Sequence, residues 1–382
     1  MAERALIVSS RFPWPAFTGD RVRAVAWLEA LAPRAEVTLV APAGEVPPEA
    51  PRLHLVAARR APWRLAAAAV RTLASRLPAT ALLAAGYDWR GALAAAERDG
   101  GPFDAAVVLL ARLDPWVYDG LRGRRLVFDA IDSLAANLDE RARAARGPAR
   151  AAWRLEARRT ARLEHDAGKR YHRVLVSAEA ERAAFGPATA AVSHGIVLLP
   201  VVDGRRDFDI GFWGRLAYFA NRNAALELLD QIWPRIRETR PGATLLLAGA
   251  DVPRRLRRRH GRDGITVISP MVQPAALLRR VKVAVFPLRF GTGQSNKVLE
   301  AAEASCALVA TPAAVRGLEA LAAEAAVESE PERLASRALG LLANPATAAA
   351  QGRRLRAVVE RHFARAAACG RLAEIALGRF PD

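Results

Sequence analysis

Cysteine is nearly absent from this 382-residue chain: only Cys306 and Cys369 occur, in no CxxC pair and at no metal-ligand spacing, which argues against a disulfide framework or a zinc module. Long apolar runs are missing as well. The longest, residues 65–70 and 105–111, fall far short of the roughly 20 residues a spanning helix needs. The apolar run at residues 5–8 is too short for a signal peptide and reads as a first strand. A cytoplasmic protein is expected, with membrane association left open. Histidine is scarce, and His165 and His172 stand seven apart with no carboxylate partner pattern, so no metal site is expected. Lysine is the scarcest base: of 57 basic residues only Lys169, Lys282 and Lys297 are lysines. So lopsided a use of arginine, beside so much alanine, points to a GC-rich genome. It weakens the net charge of +18 as a sign of a nucleic-acid or anionic-membrane partner.

What the chain does have is length enough for two domains of ordinary size. One stretch organises it, residues 283–311. Residues 283–286 are a short apolar run of strand type, Pro287 ends it, and Gly291 and Gly293 flank Thr292 just before the helical pattern of Val298, Leu299 and Ala302. Strand, glycine loop and helix in that order present backbone N–H groups and the positive end of a helix dipole to a ligand, and an anion suits them. Lys297 falls in the first turn, where the dipole disfavours a cation, so a bound anion explains it better than helix stability does. Glu300, a turn further on, is a carboxylate suited to sugar or ribose hydroxyls.

In chain order, residues 4–10 read as a buried strand, followed by the loop R-F-P-W-P-A-F-T-G-D-R, a helix over 22–31 and a strand over 37–40. Gly19 then stands at a helix N-terminus at the carboxyl end of a strand, where open α/β sheets bind ligands; a plain turn with Asp20 as cap is the alternative. Residues 62–96 read as alanine-rich helix carrying Trp63, Arg64, Arg71, Arg76 and Arg90, suited to packing on its own sheet or to a membrane surface. Strands follow at 105–110 and 126–128, the latter leading to Asp129 and Asp132. Asp132 is a candidate for positioning an acceptor hydroxyl, or else a helix cap. A charged helix over 151–170, a strand over 174–176 and a strand-like segment at 191–196 complete the first half. His194 is a candidate catalytic group, with a core or hinge histidine as the alternative. Composition shifts at residues 200–206. A second series then runs from a strand at 210–213 through Gly214-Arg215, a helix over 224–238, a strand at 244–247 closing on Gly249, and a strand at 265–268. Two tandem doubly wound α/β units with parallel sheets are expected. Asp207-Phe208-Asp209 resembles a metal-binding DxD, but it precedes a strand instead of closing one, which argues against that role.

These residues resemble a family. G-R-L with an Asn-rich loop, W-P-R-I-R, L-L-L-A-G and F-P-L-R-F-G-T-G-Q-S-N-K-V-L-E-A are similar to the donor half of family 4 (group 1) glycosyltransferases with the GT-B fold. R-F-P-W-P-A-F-T-G-D-R-V-R resembles their N-terminal glycine loop. The resemblance implies an acceptor-binding Rossmann-like domain over 1–200, a donor-binding one over 207–360 facing it across a cleft, and a final helix over 361–382 crossing back to the first. It implies retaining transfer of a sugar from a nucleotide-diphosphate sugar, with no cofactor and no metal, through a front-face mechanism in which the leaving phosphate deprotonates the acceptor. Carried over by position, Arg215 contacts the diphosphate, Glu300 holds the ribose, and Gly291, Thr292 and Gly293 hold sugar and phosphate. Gly19, Asn221, Arg222, Gly249, Met271, Val272, Gln294, Ser295 and Lys297 complete the donor side, and Arg215, Lys297, Asp132 and His194 are the catalytic candidates. The chain also departs from the family. Thr292 stands where many members carry a hexose-contacting glutamate, the lysine after Gly-Arg is missing, His194-Gly195-Ile196 replaces Asn-Gly-Val, and Pro270 replaces a glycine before the base-binding turn. Lys297 or Arg222 is left to supply the second cation.

The acceptor expected is a small molecule, a glycan or a lipid-linked compound. Two other readings stay open: an epimerase or hydrolase of the same fold, and a basic nucleic-acid-binding protein. The second lacks any nucleic-acid motif and any clustering of arginines with aromatics.

Overall fold

The computed structural model of the protein describes residues 3–16, 18–74, 76–201, 204–271, 274–291 and 293–378, with the side chains of residues 71, 73 and 74 outside the description. Val272 and Thr292, both singled out above, therefore lie outside the described residues. The chain divides into two units: Met1–Gly195 with Arg365–Asp382, and Ile196–Ala364.

Unit 1 is built on β1 (Glu3–Ser9), β2 (Ala35–Pro42), β3 (His54–Ala58), β4 (Ala105–Leu109), β5 (Arg125–Ile131), β6 (Arg173–Val176) and β7 (Thr189–Ala191). Among the described residues they form one sheet, in the order β3-β2-β1-β4-β5-β6-β7, with every pairing parallel. Strands covered on both faces should read as unbroken apolar runs. The A-A-V-V-L of β4 is such a run, buried at all its positions. One face is covered by the Gly19–Leu31 helix, whose Trp27, Leu28 and Leu31 pack with Leu372, Ala373 and Ile375 of the Arg365–Ala376 helix. The expectation of unbroken helix over 62–96 is corrected. The chain forms separate helices at Pro62–Ala74, Leu82–Ala85 and Trp89–Gly100, because Pro78 and Gly86 interrupt a pattern that alanine's helix propensity otherwise hides.

Unit 2 repeats the plan with β8 (Phe208–Trp213), β9 (Leu245–Ala248), β10 (Ile265–Ile268), β11 (Val281–Phe286), β12 (Ala307–Ala310) and β13 (Ala326–Val327). Among the described residues their order is β10-β9-β8-β11-β12-β13, again all parallel. The two parallel α/β sheets are those the sequence leads one to expect. In each sheet the winding reverses beside one central strand, between β1 and β4 in unit 1 and between β8 and β11 in unit 2. Strand order reversal opens a crevice at the strands' carboxyl ends, the usual ligand position in such sheets.

Asp207 and Asp209 sit at the other end of β8. Asp209 accepts from Lys282 Nζ at 2.7 Å and from the Thr244 amide at 3.0 Å, and Asp207 accepts from Arg280 Nε at 2.9 Å. Both carboxylates brace the amino edge of the sheet, away from the ligand end.

Candidate functional site

At the carboxyl edge of unit 2 the turn after β8 meets the turn after β9 without any side chain between them. Gly249 has φ +146°, and a Cβ there would lie 1.8 Å from the carbonyl oxygen of Gly214, so only glycine permits the approach. Asn221, 6% exposed, donates from Nδ2 to the carbonyl oxygen of Arg215 at 3.0 Å. Expected as a donor ligand, Asn221 has its amide NH2 engaged in bracing this turn.

The Asn296–Glu303 helix starts at the same edge. Lys297 and Glu300 are three residues apart and share one of its faces. The indole Nε1 of Trp213, the fully buried last residue of β8, donates to Glu300 Oε2 at 2.7 Å. Lys297 lies along Gly214, where a Cβ would come within 3.3 Å of its Cε, and its Nζ is 3.4 Å from Ser295 Oγ. Burial holds the Lys297 ammonium down to about 8, with Glu300 acting in the opposite direction. Burial pushes the Glu300 carboxyl up, opposed by the Trp213 hydrogen bond and by Lys297. A desolvated cation and an oriented carboxylate therefore stand side by side at the reversal point, an arrangement suited to an anion and a pair of hydroxyls.

The glycine loop is tied down from behind. Arg316 donates to the Gly291 carbonyl oxygen at 2.7 Å, Gln294 Nε2 donates to the Gly317 carbonyl oxygen at 2.9 Å, and Thr311 Oγ1 donates to the Leu288 carbonyl oxygen. Gly293 and Ser295 are half-buried in the same loop. Ser295 precedes the helix with no side-chain cap bond, leaving the first-turn N–H groups without that partner. Met271 packs on the unit 2 core. Arg215 is 50% exposed and pairs through Nε with Asp251 Oδ2 at 2.7 Å; Arg222 is exposed. Of the two candidates for a second cation, Lys297 is the one brought beside Glu300.

Unit 1 separates its candidates. Gly19 opens the first helix, and a Cβ added there would meet nothing within 4 Å. Asp132, half-buried, accepts from Ser177 Oγ at 2.7 Å, and burial raises its carboxyl to about 6 against that bond and the Arg23 charge. Ser133, not Asp132, caps the Leu134–Ala144 helix, accepting from the Ala136 amide. His194 has the surroundings of a core histidine, the alternative reading of its segment. It is 2% exposed, and burial, with Arg23 and Arg365 adding to it, drives its imidazole down to about 3. It is a buried residue at the base of the Arg365–Ala376 helix, where Arg365 donates to its carbonyl oxygen at 2.6 Å, and burial favours its neutral form. Among the described residues no group of three or more His, Cys, Asp or Glu is placed to hold a metal.

Sequence reasoning missed Trp213 and Asp251. Trp213 had a signal, a tryptophan ending a strand just before Gly-Arg, since an indole N–H buried there needs an acceptor. Asp251 had none, because its contact with Arg215 depends on two loops meeting.

The fold is that of solved GT-B glycosyltransferases, shared over their full length. The Thermosynechococcus elongatus sucrose-phosphate synthase superposes with TM-score 0.75 at 16% identity, covering 98% of this chain and 98% of that one. Anabaena HepE, solved in complex with UDP, gives 0.66 at 13% identity over 99% and 100%. WaaG, a glycosyltransferase involved in lipopolysaccharide biosynthesis, gives 0.66 at 15% identity over 98% and 100%. Residues 207–344 match the family model described as Glycosyl transferases group 1. No curated protein sequence matches the chain.

Proposed function

We propose that the protein is a retaining, metal-independent glycosyltransferase moving a sugar from a nucleotide-diphosphate sugar to an acceptor hydroxyl. The observation carrying this reading is the pairing of half-buried Lys297 with Trp213-oriented Glu300 at the reversal point of unit 2. The donor diphosphate lies over the amides of the glycine loop and against Lys297, while Glu300 accepts from the ribose hydroxyls. Arg215 joins the diphosphate by exchanging Asp251 for it, a modest rearrangement for an exposed pair. As the bond from the anomeric carbon to the phosphate oxygen breaks, the acceptor oxygen bonds to that carbon from the same face. The departing phosphate takes the acceptor's proton, and its growing charge is met by fixed N–H dipoles and Lys297. No cofactor is required. Unit 1 takes the acceptor, with Asp132 orienting its hydroxyl. HepE has been solved with UDP and with UDP-glucose, which makes a uridine nucleotide the first to test.

Calorimetric titration with UDP, GDP and dTDP, followed by incubation with the matching sugars and an acceptor panel, checks the reading. Glu300→Gln keeps the shape but weakens the ribose hydrogen bonds, since bonds to charged groups are worth about 1 kcal/mol more than neutral ones. The expected result is a roughly fivefold loss of affinity for the cognate diphosphate. Unchanged affinity would remove Glu300 from the ribose.

No helix among the described residues is long and apolar enough to cross a membrane. We place the protein in the cytoplasm, in peripheral contact with an anionic bilayer. Arg150, Arg154, Arg158 and Arg162 recur every four residues along the Pro148–Arg170 helix, exposed and in no ion pair among the described residues. Leu155 on the same helix, Leu83, and Trp63 at 68% exposure stand out as exposed apolar side chains of this unit. Such a mixture suits an interface rich in anionic lipid. Replacing Arg150, Arg154 and Arg158 together with glutamine is expected to abolish most co-sedimentation with phosphatidylglycerol-containing vesicles at 0.1 M salt. Equal sedimentation of both proteins would sink the idea.

A further inference from the structure

The reversal point of unit 1 carries two arginines, one of them without a partner among the described residues. β1 and β4 are adjacent and parallel, with Ser9 opposite Leu109, so Arg11 and Arg112, two and three residues further along, emerge side by side at the carboxyl edge. Arg11 Nη1 pairs with Asp20 Oδ2 at 3.2 Å. The other Asp20 oxygen accepts from Thr18 Oγ1. Arg112 has no hydrogen bond or ion pair among the described residues, and its Nε is buried without a partner. Burial and the Arg11 guanidinium push Arg112 below its ordinary value, with Asp20 offsetting only part of this. Two guanidiniums beside one carboxylate, with a buried N–H unmet, form a costly arrangement. In unit 2 the corresponding point of the sheet carries Gly214 and the glycine loop, where the diphosphate is proposed to sit.

We infer that Arg11 and Arg112 form an oxyanion-binding site for a phosphate group on the acceptor. The guanidinium fork matches phosphate oxygens bidentately, and a phosphate would give the buried Arg112 Nε–H the acceptor it lacks. The amide end of the Gly19–Leu31 helix, open at Gly19, lies beside Asp20 and favours the same charge. The site is a specificity element: it admits acceptors bearing a phosphate and gives neutral ones nothing for the pair to bind. This deepens the glycosyltransferase reading and rests on it only for the word acceptor.

The test is calorimetry with inorganic phosphate and with glycerol 3-phosphate on the full chain in the Lys297→Met background, which weakens phosphate binding in unit 2. UDP affinity is measured separately on the wild type. Arg112→Met is expected to weaken phosphate binding at least tenfold, while Arg333→Met, an exposed arginine of unit 2, leaves it unchanged. Asp20→Asn is expected to tighten binding several-fold by removing the competing carboxylate, a gain that damage to the fold cannot mimic. Vesicles containing phosphatidic acid, added in competition with glycerol 3-phosphate, separate the sources: Arg112-dependent displacement assigns a lipid phosphate, and its absence assigns a soluble one. Equal phosphate affinity in the Arg112→Met and Asp20→Asn proteins would overturn the inference. Failure of UDP to bind the wild type would instead overturn the reading of unit 2 and leave this result standing.

Discussion

Lys297→Met is expected to transfer sugar at least tenfold more slowly than the wild type, equivalent to about 1.4 kcal/mol of transition-state stabilisation. Methionine keeps the apolar stem that lies along Gly214 and removes only the charge, so the loss reports electrostatics and not packing. A pH signature accompanies it. Burial lowers the ammonium to about 8, so the free protein holds Lys297 largely protonated at pH 7 and progressively neutral above pH 8. Only the charged form attracts a diphosphate. Affinity for UDP in the wild type should therefore fall as pH rises from about 8 to 9.5, a range above the phosphate's own ionisation near pH 6. In Lys297→Met it should stay flat over that range. Titrations at four pH values check both limbs. A sloping profile in the variant would assign the titrating group elsewhere, and loss of transfer in Arg222→Met with retention in Lys297→Met would make Arg222 the second cation.

Gly249→Ala should be the most damaging single methyl group in unit 2. The added Cβ would meet the Gly214 carbonyl oxygen at 1.8 Å, and φ +146° is a backbone region that alanine rarely enters. Neither partner is a flexible side-chain end, so the turn after β8 has to move. The expected cost is about 3 kcal/mol or more, read as a lower denaturation midpoint for unit 2. Donor affinity should fall with it, because Lys297 packs on the displaced Gly214. Gly340→Ala is the contrast: Gly340 lies within the Pro331–Ala343 helix with open space around it, and alanine there should stabilise by up to about 1 kcal/mol. If both substitutions had the same small effect, the close approach of the two turns would not be a constraint.

The parts of this protein legible in its sequence are those where one residue type alone satisfies the backbone or the dipole. Gly214, Gly249 and Gly291 mark turns of positive φ, and Lys297 is conspicuous because a cation in a first turn needs a reason. The α/β alternation was legible from apolar runs such as β4 and β8. The strand β3 went unrecognised: His54–Ala58 is a partly exposed edge strand, and H-L-V-A-A has neither clear alternation nor a long apolar run. Partnerships made through space were out of reach, among them Trp213 with Glu300 and Arg215 with Asp251. The choice between the two readings of His194 was out of reach for the same reason. Nothing in A-V-S-H-G-I says that Arg23 and the final helix close over it, yet that burial decides its charge.

Amide hydrogen exchange with and without saturating UDP tests the central claim most directly, because it reports where the nucleotide lands without requiring the acceptor. The account requires new protection in the glycine loop at residues 291–295, in the first turn of the Asn296–Glu303 helix and at Gly214–Leu216. Protection confined to unit 1, around residues 11–23, with the 291–300 segment exchanging at its free rate, would contradict it.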